Sequence, residues 1–171
     1  MHPVEVQNAL DGAVLLLDTR EQDTARLRAR LTMAALPFER QKLDFGDYSA
    51  KFPLPDGGWY DMSREVSIER KMDLDELCQC YTHDRGRFER EFERAKDADA
   101  KIYLLIENAT YEQVLSGRYR SRMQPNALAA SIFAWLARYD CQILMCKQAT
   151  SGRLIREILL REGKERMMAR E

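Results

Sequence analysis

Residues 46–75 read GDYSAKFPLPDGGWYDMSREVSIERKMDLD, and their alternation decides the architecture. Tyr48–Phe52 and Trp59–Met62 are extended stretches separated by the turn cluster Pro53, Pro55 and Asp56-Gly57-Gly58. Val66–Glu69 sets Val66 and Ile68 against Ser67 and Glu69, the period of a strand with two unlike faces. Upstream, the apolar run Val14–Leu17 ends at Asp18 and reads as a buried strand. A helix follows from Gln22 to about Ala35, closed by Pro37, and then a strand over Phe38–Leu43. Downstream the pattern changes: helices over about Leu74–Tyr81 and Arg87–Ala98, a strand at Ile102–Ile106, a helix at Asn126–Tyr139, a strand at Gln142–Met145. A last helix is expected over Ser151–Leu160, with the serine as its cap. Hairpin-joined strands followed by strand–helix alternation predict an α/β domain, a mixed β-sheet flanked by helices.

The bulk numbers bound this picture without choosing a function. The 171 residues fit one domain, 45% are apolar, and 32% are charged with a formal net charge of −1. That balance excludes a non-specific polycationic nucleic-acid coat but not an enzyme whose carboxylates hold metal. No segment approaches the ~20 apolar residues of a membrane span. The start MHPVEVQNALDG lacks the basic and apolar regions of a signal peptide. The four cysteines are therefore expected reduced, in a cytoplasm.

Three segments place acids at strand ends, where such sheets usually present their chemistry. They are Asp18-Thr19-Arg20-Glu21, Gly46-Asp47-Tyr48, and Glu69-Arg70-Lys71 followed by Asp75. Strand periodicity puts Glu69 and Lys71 on one face. Hard oxygen ligands such as Asp47 and Glu69 suit Mg²⁺ or Mn²⁺, which polarises a phosphate and lowers the pKa of bound water. A neighbouring lysine orients that water and stabilises developing negative charge. An isolated acid–x–lysine is usually a solvated strand face; the full set is far more specific.

Gly46-Asp47, then Glu69-Arg70-Lys71, three residues, and Asp75 resemble the GD…ERKxxxD signature of the XPF-type (ERCC4-domain) nucleases. Asp18-x-Arg20-Glu21 is similar to that family's upstream acidic motif. Gly86-Arg87-Phe88 and Tyr103–Glu107 look like its following segments, so the resemblance covers roughly residues 14–150. It implies a restriction-endonuclease-like fold, Mg²⁺ dependence with Mn²⁺ able to substitute, and cleavage of flap, fork or junction DNA in repair or recombination. Asp47 and Glu69 would be the core metal ligands, with Asp18 and Glu21 contributing directly or through water. Lys71 would position the nucleophile, and Arg20 and Arg70 would support the site. Asp75 is expected at the first turn of the next helix, where a carboxylate complements the dipole. The chain departs from many such nucleases in ending without a tandem helix-hairpin-helix module. It is read as a single nuclease domain over 1–171, of prokaryotic or phage type, whose DNA affinity or homodimeric or heterodimeric partner stays open. Two rivals remain: a non-catalytic DNA-binding or dimerisation subunit, and a phage-type Holliday-junction resolvase.

Other signals weigh less. Cys78 and Cys80 lie two apart on a helix and point to different faces, so buried thiols are expected rather than zinc. His83, between two helices, is expected at the surface or as a cap rather than as a general base. Arg85, Arg87, Arg90 and Arg94 alternate with Glu89, Glu91 and Glu93, which suits a solvated, ion-paired helix as well as a phosphate contact. Arg87 also belongs to the family segment. Arg118, Arg120 and Arg122 form a purely basic loop, open to DNA or to solvent. Phe133 and Trp135 are expected in the core.

Overall fold

The computed structural model describes residues 1–170. In chain order its elements are α1 (Pro3–Asp11), β1 (Val14–Asp18), α2 (Ala25–Ala34), β2 (Phe38–Gln41), β3 (Tyr48–Pro53), β4 (Trp59–Asp61) and β5 (Val66–Lys71). Then come α3 (Leu74–Tyr81), α4 (Arg85–Asp97), β6 (Lys101–Glu107), α5 (Tyr111–Ser116), α6 (Pro125–Tyr139), β7 (Gln142–Cys146) and α7 (Gln148–Ala169). The seven strands form one mixed sheet, ordered β2-β1-β3-β5-β6-β7, with β4 paired to β3. β3 runs antiparallel to β1, β4 and β5, whereas β5, β6 and β7 are mutually parallel. The expected α/β architecture is the one observed.

Side-chain alternation divides the interior into two cores. Leu15, Leu17, Val66, Ile68 and Leu105 pack with Leu27 of α2 and Ile155 and Leu159 of α7 on one face. On the other, Ile102, Leu104 and Ile106 pack with Leu77, Phe88, Phe92 and Trp135 from α3, α4 and α6. Trp135 is fully buried and stacks on Phe88 at 5.5 Å between ring centroids. Phe133 departs from the expected core position: it is 52% exposed and stacks on Tyr111. One helix offers only one stripe to the core, and residues two apart fall on opposite sides.

Three expectations about helices need correcting. Ser151 is not a cap: α7 begins at Gln148, and the buried Ser151 hydroxyl donates back to the Gln148 carbonyl at 3.0 Å. The same helix runs on to Ala169. α1 and α5 were not anticipated: α5 has only six residues, and α1 buries only Val6 and Ala9, too few apolar positions for a periodic signal. The thiols of Cys78, Cys80 and Cys141 are free and buried. His83 is exposed and meets only the Thr82 hydroxyl, at 3.1 Å. No helix among the described residues is long and apolar enough to cross a membrane.

Candidate active site

Backbone pairing gathers the three acidic segments at one end of the sheet. The Asp47 amide donates to the Ile68 carbonyl (2.8 Å), and the Asp18 amide donates to the Asp47 carbonyl (2.9 Å). Asp47 is thereby held between the carboxyl end of β1 and strand β5. Gly46 makes the approach possible. It sits at φ +75°, and a Cβ there would lie 2.6 Å from the Ser67 hydroxyl.

Glu69 and Lys71 share a face of β5 and form an ion pair at 2.5 Å, both buried. They open into a cavity of about 170 Å³ whose walls include Glu76, Arg87, Phe88 and Glu91 from α3 and α4. Glu69 Oε2 is buried without a hydrogen-bond partner among the described residues. Burial pulls the Lys71 ammonium down, but Glu69 and Asp47 outweigh it and hold the group protonated. Asp47 accepts from the Arg70 amide at 2.8 Å. Burial, then the charges of Glu69 and Glu21, push its carboxyl well above the usual carboxylate range despite Lys71.

Asp18 stands differently. Its fully buried carboxylate accepts from Arg20 Nε (2.6 Å), the Arg20 amide (2.9 Å) and the Leu43 amide (2.8 Å). Burial opposes ionisation, yet Arg20 and those amides keep its pKa below the ordinary value. These contacts tie β1 to the loop after β2. Glu21 lies near Asp47 and receives the Tyr48 hydroxyl at 3.4 Å.

Asp75 lies in the first turn of α3, but Asp73 is the cap, accepting from the Glu76 amide. Asp75 instead braces the basic loop, accepting from the amides of Arg120 (2.8 Å) and Ser121 (2.6 Å) and from Arg120 Nε (3.0 Å). Arg120 is thus countered by Asp75, with Asp73 at 3.9 Å. Arg118 meets only the Ser116 hydroxyl, and Arg122 is exposed. Of the four arginines singled out for DNA, Arg87 alone lines the cavity.

Three residues escaped the sequence reading of the site: Glu91, Arg30 and Glu107. Glu91 reaches from α4 to accept the Gly46 amide at 2.8 Å and is buried. Burial and the Glu69 charge raise its pKa. Its signal was present: Phe88, Glu91, Phe92 and Ala95 recur at the spacing of a buried helical stripe, which marks Glu91 apart from solvated Glu89 and Glu93. Arg30 and Glu107 form a buried ion pair at 2.9 Å, Arg30 also donates to the Tyr48 hydroxyl at 3.0 Å, and Arg70 reaches Glu107 at 3.5 Å. These contacts join residues 77, 18 and 37 positions apart, and no local pattern announces them.

A mixed sheet that gathers paired acids and a lysine at one end defines a class, the restriction-endonuclease-like nuclease fold. The sequence matches the ERCC4 domain over residues 17–158, and the chain belongs to that family. Its fold is similar to XPF from Aeropyrum pernix, with 18% identity and a TM-score of 0.60, over 92% of this chain and 62% of that one. It is equally similar to the structure of that protein in complex with DNA: 18% identity, TM-score 0.61, 90% and 66% covered. The chain spans less than two thirds of the length of either. No curated protein sequence matches it.

Proposed function

We propose that this chain is a divalent-metal-dependent endonuclease that hydrolyses phosphodiester bonds in DNA, preferring flaps, forks or junctions, in repair or recombination. The observation that carries the reading is Glu69 Oε2, a buried carboxylate oxygen without a partner beside a charged lysine. Leaving such an atom unpaired costs about 1–3 kcal/mol or more for a charged group, which a bound cation relieves. Among the described residues no three His, Cys, Asp or Glu side chains close around a cation by themselves. Two carboxylates with water and substrate phosphate completing the shell are what Mg²⁺ ordinarily takes. Asp47 and Glu69 would hold it, and Glu21 would reach it through water.

Bound there, Mg²⁺ or Mn²⁺ supplies polarisation of the phosphate and a lowered pKa for attacking water. Lys71, held protonated, leaves Glu69 and donates to the water or to a phosphoryl oxygen as negative charge develops. Arg70 fixes Asp47 through its main-chain amide. Arg20 keeps Asp18 ionised and the β1 turn in place.

The test is cleavage of labelled flap, fork, four-way-junction and plain duplex DNA in Mg²⁺, Mn²⁺ or EDTA. Wild type should cut with metal only, and Asp47→Ala and Lys71→Ala should lose at least about 100-fold, the scale of removing one transition-state contact. Preference for the four-way junction would turn the reading to a Holliday-junction resolvase. A folded wild type that cuts nothing, but still binds these DNAs, would replace it with a non-catalytic DNA-binding subunit.

A further inference from the structure

Alternation along β5 sends Glu69 and Lys71 into the acid-rich cavity and Arg70 through to the opposite face of the sheet. There a second cleft, about 660 Å³, lies between the N-terminus of α2 and the turn leading into α3. Arg20, Arg26, Arg30 and Arg70 line it, against only two acids, Glu21 and Glu76.

The floor of this cleft is built rather than incidental. Glu107, fully buried, accepts from Arg30 Nε (2.9 Å) and Nη2 (3.3 Å) and from Arg70 at 3.5 Å. Tyr48 takes the remaining arm of Arg30. Both guanidiniums are therefore fixed from beneath, and Arg70 keeps its Nε buried without a partner. At the rim, exposed Arg26 has no carboxylate within ion-pair distance among the described residues; its one polar contact is the Met72 sulfur at 2.6 Å. Thr24 and Ala25, the cap and first residue of α2, also line the cleft, which adds the positive end of the helix dipole. Arg20, like Arg120 of the basic loop, already has a carboxylate partner, Asp18 at 2.6 Å, so Arg26 is the arginine of the cleft left to an incoming anion.

We propose that this cleft is a phosphate seat for the DNA strand beyond the scissile bond. The inference rests on the nuclease reading and extends it. Cavity and cleft flank the same end of β5 and share Glu76, so a strand crossing the sheet edge meets the metal ligands and the arginines together. Arg70, fixed from beneath and still partly exposed, suits recognition of phosphate oxygens, while the buried Arg30, its three nitrogens spent on Glu107 and Tyr48, holds the floor in place. Arg26 supplies the exposed contact at the rim.

The test is fluorescence anisotropy of a labelled flap DNA in EDTA, which prevents cleavage, from about 50 to 200 mM salt. Arg26→Gln is compared with wild type and with Arg161→Gln, which removes an exposed charge from the distal half of α7. Arg26→Gln should melt as wild type does, bind several-fold more weakly, and lower the slope of log Kd against log salt by about one. Arg161→Gln should leave the slope unchanged. Binding by wild type with the same slope in Arg26→Gln, or equal losses in both variants, would overturn the cleft while leaving the nuclease reading intact. A wild type that binds no DNA would overturn both.

Discussion

Asp47 carries the residue-scale consequences of the site. Its folded carboxyl titrates above the ordinary value of 3.8 because burial and the charges of Glu69 and Glu21 oppose ionisation. The metal-free fold therefore loses stability as pH rises from the unfolded value through the folded one, where the native state must give up a proton it holds more tightly. Asp47→Asn removes that penalty and keeps an oxygen for the Arg70 amide. In EDTA it should melt higher than wild type, by roughly 2–4 °C per kcal/mol relieved, with a gain that grows from acid to neutral pH. Mg²⁺ should raise the wild-type midpoint and leave Asp47→Asn unmoved, and its affinity for wild type should rise with pH because the ligand must deprotonate. Thermal melts across pH, with and without Mg²⁺, check both; a midpoint lower than wild type at every pH would remove the electrostatic account. The placing of Asp47 and Glu69 at one end of the sheet was readable because strand alternation and a glycine-led turn are local. Glu91 was not, because its interleaved charges masked the buried stripe.

At the scale of elements, the Arg30–Glu107–Arg70 cluster clamps α2, β5 and β6 behind the candidate site. Glu107 is fully buried and Arg30 nearly so, so each depends on the other for neutralisation. Glu107→Ala strands the Arg30 charge and should cost about 3–5 kcal/mol in urea unfolding. Adding Arg30→Met to Glu107→Ala should recover much of that loss, because the buried Arg30 charge is then gone and only the partly exposed Arg70 lacks Glu107. Independent, additive losses would show that the two residues do not act as a pair. The apolar run before Glu107 made β6 visible in the sequence. The partner of its terminal carboxylate was invisible, since charge pairing across the sheet follows from packing and not from spacing.

Over the whole molecule, the position of α2 depends on how closely α7 can approach it. Gly152 faces α2, and a Cβ there would lie 2.2 Å from the Arg30 carbonyl oxygen and 2.8 Å from Met33 Cβ. Gly152→Ala must push the helices apart, at a cost of about 1–3 kcal/mol. Because Arg30 rides on α2, the variant should also weaken flap-DNA binding beyond what its lower melting midpoint explains, measured well below that midpoint. Unchanged stability would mean that the helices slide without strain. The expectation of a capped helix starting at Ser151 overlooked this contact: Gly and Ser in the first turns of α7 are there for close packing on α2 and not for termination.

By itself the sequence determined the strands, the mixed sheet and the Asp47–Glu69–Lys71 arrangement, because each rests on periodicity or on neighbours within one strand or turn. Only the tertiary structure decided that Asp18 spends its carboxylate on Arg20 and Leu43, that Asp75 braces the basic loop, and that Glu91 holds Gly46. The arginines that meet in a cleft, Arg20, Arg26, Arg30 and Arg70, likewise come from three segments of the chain. Hydrogen bonds and ion pairs between distant segments exist only once the sheet and helices have packed, and burial then decides which charges must find partners.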